Sequence, residues 1–206
     1  MTHQDVQIFT AAAAEITINR RELAARLHTD RQFDSPALAA CQQRLEQVIS
    51  YRCAYCRVPV DLTQENVCDF GFMTIPSRSL YRSLRGCREV YVMALTTGIA
   101  VDRLLARLNV TSQAEHFMTD ALSSAAVESF CDAVCQRLRE GVPCVPRFSP
   151  GYGDVSLSFQ VPLLQRLHAY EHLGITLNAA YLMTPVKSIT AIMGICASDD
   201  QKEGDV

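Results

Sequence analysis

Arg147-Phe148-Ser149-Pro150-Gly151-Tyr152-Gly153-Asp154 puts a permanent cation, a turn and an aromatic ring next to one another. The planar donor fork of Arg147 matches a carboxylate or a phosphate. Pro150 presets its own φ, and Gly151 can take a positive φ or let a ligand approach the backbone. Tyr152 adds a flat face on which a planar ligand can pack. The same residues also suit a plain tight turn whose arginine holds nearby carbonyls, and spacing alone favours that plainer reading.

Two other constellations carry chemistry-bearing side chains. Asp120, Ser124 and Glu128 recur every four residues, so on a helix they share one side. The two carboxylates would then lie roughly 12 Å apart, too far for joint acid–base work on one atom. Either can pair with an arginine, or with the ammonium of a bound amino-acid moiety. Cys53 and Cys56 form a C-x-x-C, but the alternation around them suits a strand, where residues three apart face opposite ways. No second ligand pair and no helix opening at Cys53 accompany them, so neither a metal nor a redox site is expected. Cys131 and Cys135 fall in an apolar helical stripe and read as core. Arg78, Arg82 and Arg85 share a helical face that is either a solvated surface or an anion patch.

Elements that position these residues follow from caps and periodicity. Ala11–Ala14 suits helix, and Glu15–Ile18 alternates like a short strand. Asn19 with Glu22 caps a helix over 20–27, and Ser35-Pro36 opens another running to about Ser50. Tyr51–Leu62 and Val67–Ile75 read as strands, the second broken at Gly71. Ser77 caps a short helix over 78–84. Glu89–Thr97 is a continuous apolar run fit for a buried central strand, and Gly98 turns it into a helix over 99–108. Ser112 with Glu115 opens the longest helix, to about Glu140, with Ala114, Phe117, Met118, Ala121 and Ala125 starting its core stripe. A helix ends near Leu173, with Gly174 as its terminator. Ile175–Met183 and Val186–Ile195 complete the order as strands. This order predicts an α+β fold, with a mostly antiparallel sheet and helices packed on it.

The chain has 206 residues, 49% of them apolar and 20% charged, enough for a single domain with a real core. Residues 1–50 are expected to be a helical N-terminal part of that domain, 51–196 its core, and 197–206 a disordered tail. The net charge of −3 gives no drive toward nucleic acid or an anionic membrane. No stretch is long and apolar enough to span a bilayer, and no signal peptide is recognisable. Nine cysteines without a secretory signal argue against a disulfide framework and for a cytoplasmic protein.

With these elements in hand, Arg147, Pro150, Gly151 and Tyr152 resemble the S-adenosylmethionine-binding motif in the activation domain of vitamin B12-dependent methionine synthase. The wider stretches Cys87–Leu104, Asp120–Asp132, Arg147–Gln160 and Leu182–Ile195 resemble a family of short, free-standing bacterial proteins related to that domain. The resemblance implies a twisted, mostly antiparallel sheet with surrounding helices. It implies reactivation of a corrinoid methyltransferase: S-adenosylmethionine is presented to oxidised cob(II)alamin while a reductant supplies an electron. Arg147 would hold the methionyl carboxylate, Ser149 and Gly151 would offer backbone contacts, and Tyr152 would pack on the ligand. Asp120 or Glu128 would face the same pocket. Cobalamin would arrive on a partner, such as a methionine synthase lacking its own activation domain, with an electron donor such as flavodoxin. The chain itself would supply no catalytic side chain and no metal. A docking module that grips a corrinoid protein without S-adenosylmethionine is the alternative. One departure from the methionine synthase pattern is Ala191-Ile192-Met193-Gly194, which has no aromatic residue where that domain carries an aromatic-rich run.

Overall fold

The computed structural model describes residues 6–29 and 34–196. At its centre is β5 (Cys87–Thr96), the apolar run expected to be a buried strand. It is flanked by β2 (Tyr51–Pro59) and β8 (Ser188–Cys196), and β1 (Gln7–Ala11) pairs on the outside of β2. All three pairings are antiparallel. The fold is therefore α+β, as the order of elements predicts.

Alternation along these strands sorts the core into two faces. Val90, Val92 and Ala94 of β5 point to one side with Ala54, Cys56 and Val58 of β2 and Ile192 of β8. Met93 and Leu95 point to the other with Cys53, Ala191 and Met193. Cys53 and Cys56 thus lie buried on opposite faces. The Ala191–Gly194 stretch is sheet interior rather than a ligand-facing lid.

The first face is covered by three helices: α3 (Arg78–Ser83), α6 (Gln160–Arg166) and α7 (Ala169–Leu173). The short hairpin of β3 (Val67–Asp69) and β4 (Thr74–Pro76) also packs there. The second face is covered by the C-terminal half of α5 (Gln113–Leu138), through Ala126, Phe130, Cys131, Val134 and Cys135. The N-terminal half of α5 carries a third layer. Its Ala121, Leu122 and Ala125 meet Leu23 of α1 (Arg20–Arg26), Leu38, Cys41 and Leu45 of α2 (Pro36–Glu46), and Val101 and Leu105 of α4 (Ile99–Thr111). Its small residues let those helices approach closely on several sides, which is why Ala121–Val127 is buried without a break.

Several expectations meet a different structure. Ala11 ends β1, Ala13–Glu15 is a 3-10 turn, and the expected strand over Glu15–Ile18 does not form. Residues 1–50 hold the expected helices and, in β1, a strand of the main sheet. Ala114 and Phe117 are exposed rather than core. The helix over 160–173 breaks at His168, which takes a left-handed conformation. Residues 175–183 form only β6 (Thr176–Leu177), paired with β7 (Met183–Thr184). The expected tail, 197–206, lies outside the described residues.

No element was expected over Pro143–Phe148, yet this segment straps the outer edge of β8. Val145 donates to Gly194, Phe148 and Ile192 exchange both backbone bonds, and Cys196 donates to Pro143. The strap satisfies an edge that would otherwise invite pairing with another chain. Gly194 permits its approach: a Cβ there would lie 2.6 Å from Cys87 Sγ and 2.8 Å from Val145 Cγ2.

Candidate functional site

The strap delivers Arg147 and Phe148 to the C-terminal half of α5 and then turns away. The turn is built from its own backbone: Gly151 N–H donates to Val155, Tyr152 N–H to Ser149, and Val155 N–H to Tyr152. Asp154 anchors its far end on α3. Its carboxylate accepts from the Ser77 hydroxyl and from the backbone N–H groups of Arg78, at 2.8 Å, and Ser79, at 3.2 Å. These donors, the Ser77 hydroxyl first, hold the Asp154 carboxyl well below the usual carboxylate range. Gly153 lets the loop lie on α3, since a Cβ there would be 2.9 Å from Ser79 Oγ at a φ of +57°.

Between this loop and the sheet lies a cleft of about 430 Å³. That is within the range of small-molecule sites. The loop supplies Arg147–Pro150 and Tyr152 to one wall, and β8 supplies Ser188–Thr190 to another. Glu128 of α5, Gln160 of α6 and Met183 of β7 close it. Tyr152 stands at the rim, 69% exposed.

Arg147 is the charged centre. Its Nη2 donates to Glu128 Oε2 at 2.9 Å, and its Nη1 donates to Asp132, one turn further along α5. Behind it lie the buried thiols of Cys131 and Cys135. Their mutual hydrogen bond and burial push Cys131 up, while that bond and the guanidinium draw Cys135 down.

Of the residues singled out in the sequence, the structure brings Arg147, Ser149, Tyr152 and Glu128 together around the cleft. Gly151 lies behind in the turn with its N–H used by Val155. Asp120 is separate. It sits nearer the N-terminus of α5, where its Oδ1 and Ser124 Oγ each accept from Lys187 Nζ at 2.7 Å.

Several residues of this region were not reached by sequence reasoning. Asp132 is the next i+4 step after Glu128, so the periodicity already contained it. Lys187 is one of the chain's two lysines, and that scarcity was a usable signal. Gln160, Met183, Ile189 and Thr190 fall within the stretches that carry the resemblance, but their types did not mark them for the site, because only the folding of α6, β7 and β8 brings them to Arg147. Among the described residues, no group of three His, Cys, Asp or Glu side chains is placed to hold a metal. Among the same residues no helix is long and apolar enough to cross a membrane.

No family model matches the chain, and no curated protein matches it. Among solved structures, the chain is similar to a crystal structure of the MetH reactivation domain bound to AdoHcy. The superposition has a TM-score of 0.72 at 13% identity, and covers 95% of this chain and 80% of that one. The fold of the chain is therefore that of a methionine synthase reactivation domain.

Proposed function

We propose that the chain binds S-adenosylmethionine in the Arg147 cleft and presents it to a corrinoid-dependent methyltransferase for reactivation. The observation that carries this reading is the coincidence of two independent facts. Nearly all of the chain, 95% of it, superposes on a reactivation domain holding AdoHcy. The residues that resemble the S-adenosylmethionine motif line the cleft of this chain, apart from Gly151 in the turn behind them.

The donor set fits such a ligand. A guanidinium has five N–H donors, and the two carboxylates leave room for a third. Arg147 would hold the ligand carboxylate, with Glu128 beside it for the ammonium. Ser149 would contribute backbone, Gly151 would set the turn, and Tyr152 would cover the ligand from the rim. Asp120 would act indirectly, through Lys187, on the segment that leads into β8. Bound S-adenosylmethionine supplies a methyl group carried on a sulfonium. The chain's share of the work is placement, which converts a bimolecular encounter into a positioned one. Cobalamin would arrive on the partner, a methyltransferase such as a methionine synthase without its own activation domain. The electron would come from a donor such as flavodoxin.

A second reading is supported by the same arginine. Arg147 is already held by two carboxylates, and β8 carries no aromatic residue to enclose a ligand. A module that docks a corrinoid protein without S-adenosylmethionine needs neither. Isothermal calorimetry with S-adenosylhomocysteine separates the two. One-to-one binding that also raises the melting temperature supports ligand presentation. Absence of heat and of any thermal shift at millimolar ligand sinks it in favour of docking alone.

A further inference from the structure

We infer that the side-chain carboxamide of Gln160 recognises the uncharged end of the ligand, accepting a hydrogen bond from the exocyclic amine of its purine. This rests on the proposed binding of an S-adenosyl ligand in the cleft. Gln160 opens α6 and is 5% exposed, yet it lines the cleft. Its Oε1 is buried and has no hydrogen-bond partner. Buried acceptors are almost always paired, and an unpaired one destabilises the fold that contains it.

Three other buried side-chain atoms share this condition among the described residues: one each of Asp102, Thr119 and His172. None of those residues lines the cleft. An apolar side chain of similar length would suit the surroundings of Gln160 better, since Leu163, Leu164 and Val155 nearby are buried and apolar. A bound donor is what makes glutamine the better choice.

The cleft's polarity says which donor. Charge is concentrated at Arg147 and Glu128, which suit the zwitterionic end of an amino acid. Beside Ser149, Ser188 and Thr190, the remaining lining has an apolar part in Phe148, Met183 and Ile189, fit for a flat ring. Glu128 already offers the ammonium a charged partner at the Arg147 end, which leaves the neutral amide of Gln160 for a neutral donor. The orphan oxygen is shielded from solvent, so recognition requires the carboxamide to turn it toward the cleft on binding.

The test uses the full chain, with S-adenosylhomocysteine and its 6-desamino analogue as ligands. Calorimetry on the wild type should show the amine-bearing ligand binding roughly two- to ten-fold tighter. Gln160→Met should bind both alike, and without ligand should melt at or above the wild-type temperature. A purely structural glutamine would do the opposite, lowering the melting temperature while preserving the preference, and that result overturns the inference. Wild type that binds both ligands equally also overturns it, and needs no variant. Wild type that binds neither ligand defeats the ligand-presentation reading itself, and this inference with it.

Discussion

Helix α5 carries two polar ends built to the same pattern, and they differ in what the rest of the chain brings to them. Asp120 and Ser124 meet Lys187, whose side chain is only 11% exposed, while Val186 next to it donates to Asp102 at 2.9 Å. That end is closed: every partner comes from the protein, and the result pins the turn before β8. Glu128 and Asp132 meet Arg147, which stands at the wall of an open cleft. Carboxylates four residues apart are thus not a site in themselves. A lysine sunk between two helical side chains commits two of its three donors to them, whereas an arginine at a cavity wall keeps most of its five for a ligand.

Arg147→Ala tests this contrast with the largest expected effect. Losing a charge-assisted fork costs about 1.5–3 kcal/mol, so affinity for S-adenosylhomocysteine should fall roughly ten- to a hundred-fold. Arg147→Lys should recover only part of it, because the bidentate geometry is gone. Folding should change little, since the carboxylate partners are partly solvated. Unchanged affinity in a normally melting Arg147→Ala protein would return the arginine to a structural role.

Lys187→Met should behave in the opposite way. It removes two bonds to a largely buried ammonium, but Asp120 is 47% exposed and the pair is partly screened. A loss of about 1–2 kcal/mol follows, lowering the melting temperature by roughly 2–8 °C. Ligand affinity of the folded protein should stay close to wild type. A drop in affinity without a drop in stability would show that the two ends of α5 are not separate.

Glu128→Gln and Asp120→Asn sharpen the comparison further. The first keeps an acceptor for Arg147 and removes the charge proposed to face the ligand ammonium, so binding should weaken about two- to five-fold. The second should leave binding unchanged. Equal effects in calorimetry would mean that the spacing on α5, and not the cleft, decides.

How far the sequence could be read depended on whether the deciding contacts were local. The helix caps at Asn19, Ser35, Ser77 and Ser112 were legible, because each side chain bonds a backbone N–H two or three residues on. The central strand β5 was legible because burial on both faces makes it continuously apolar. β1 was not: it is an edge strand, mostly exposed, and it runs into an alanine stretch that suggests helix. Nor was the break at His168, which takes a left-handed conformation without glycine or proline to mark it. The strap over 143–148 escaped because the backbone hydrogen bonds that make it go to β8, nearly fifty residues downstream. The arginine motif was visible as a turn, but its neighbours Gln160 and Ser188–Thr190 depend on tertiary packing.

The smallest expected effect concerns the anchor of the cleft loop. Asp154 is ionised when it accepts from Ser77, Arg78 and Ser79, and these contacts lower its pKa in the folded chain. The folded state therefore binds a proton less readily than the unfolded state, in which an aspartate titrates near pH 4. Its contribution is complete above that pH and fades as the pH falls below it toward the depressed folded value. Asp154→Asn removes the charge at every pH. The variant should accordingly melt below the wild type at pH 7, and the two melting temperatures should converge as the pH is lowered from 4.5 to 3. A gap that keeps its size down to pH 3 would mean that the carboxylate's charge is not what ties the loop to α3. In that case the shape of the turn set by Gly151 and Gly153, rather than Asp154, would hold Arg147 at the cleft.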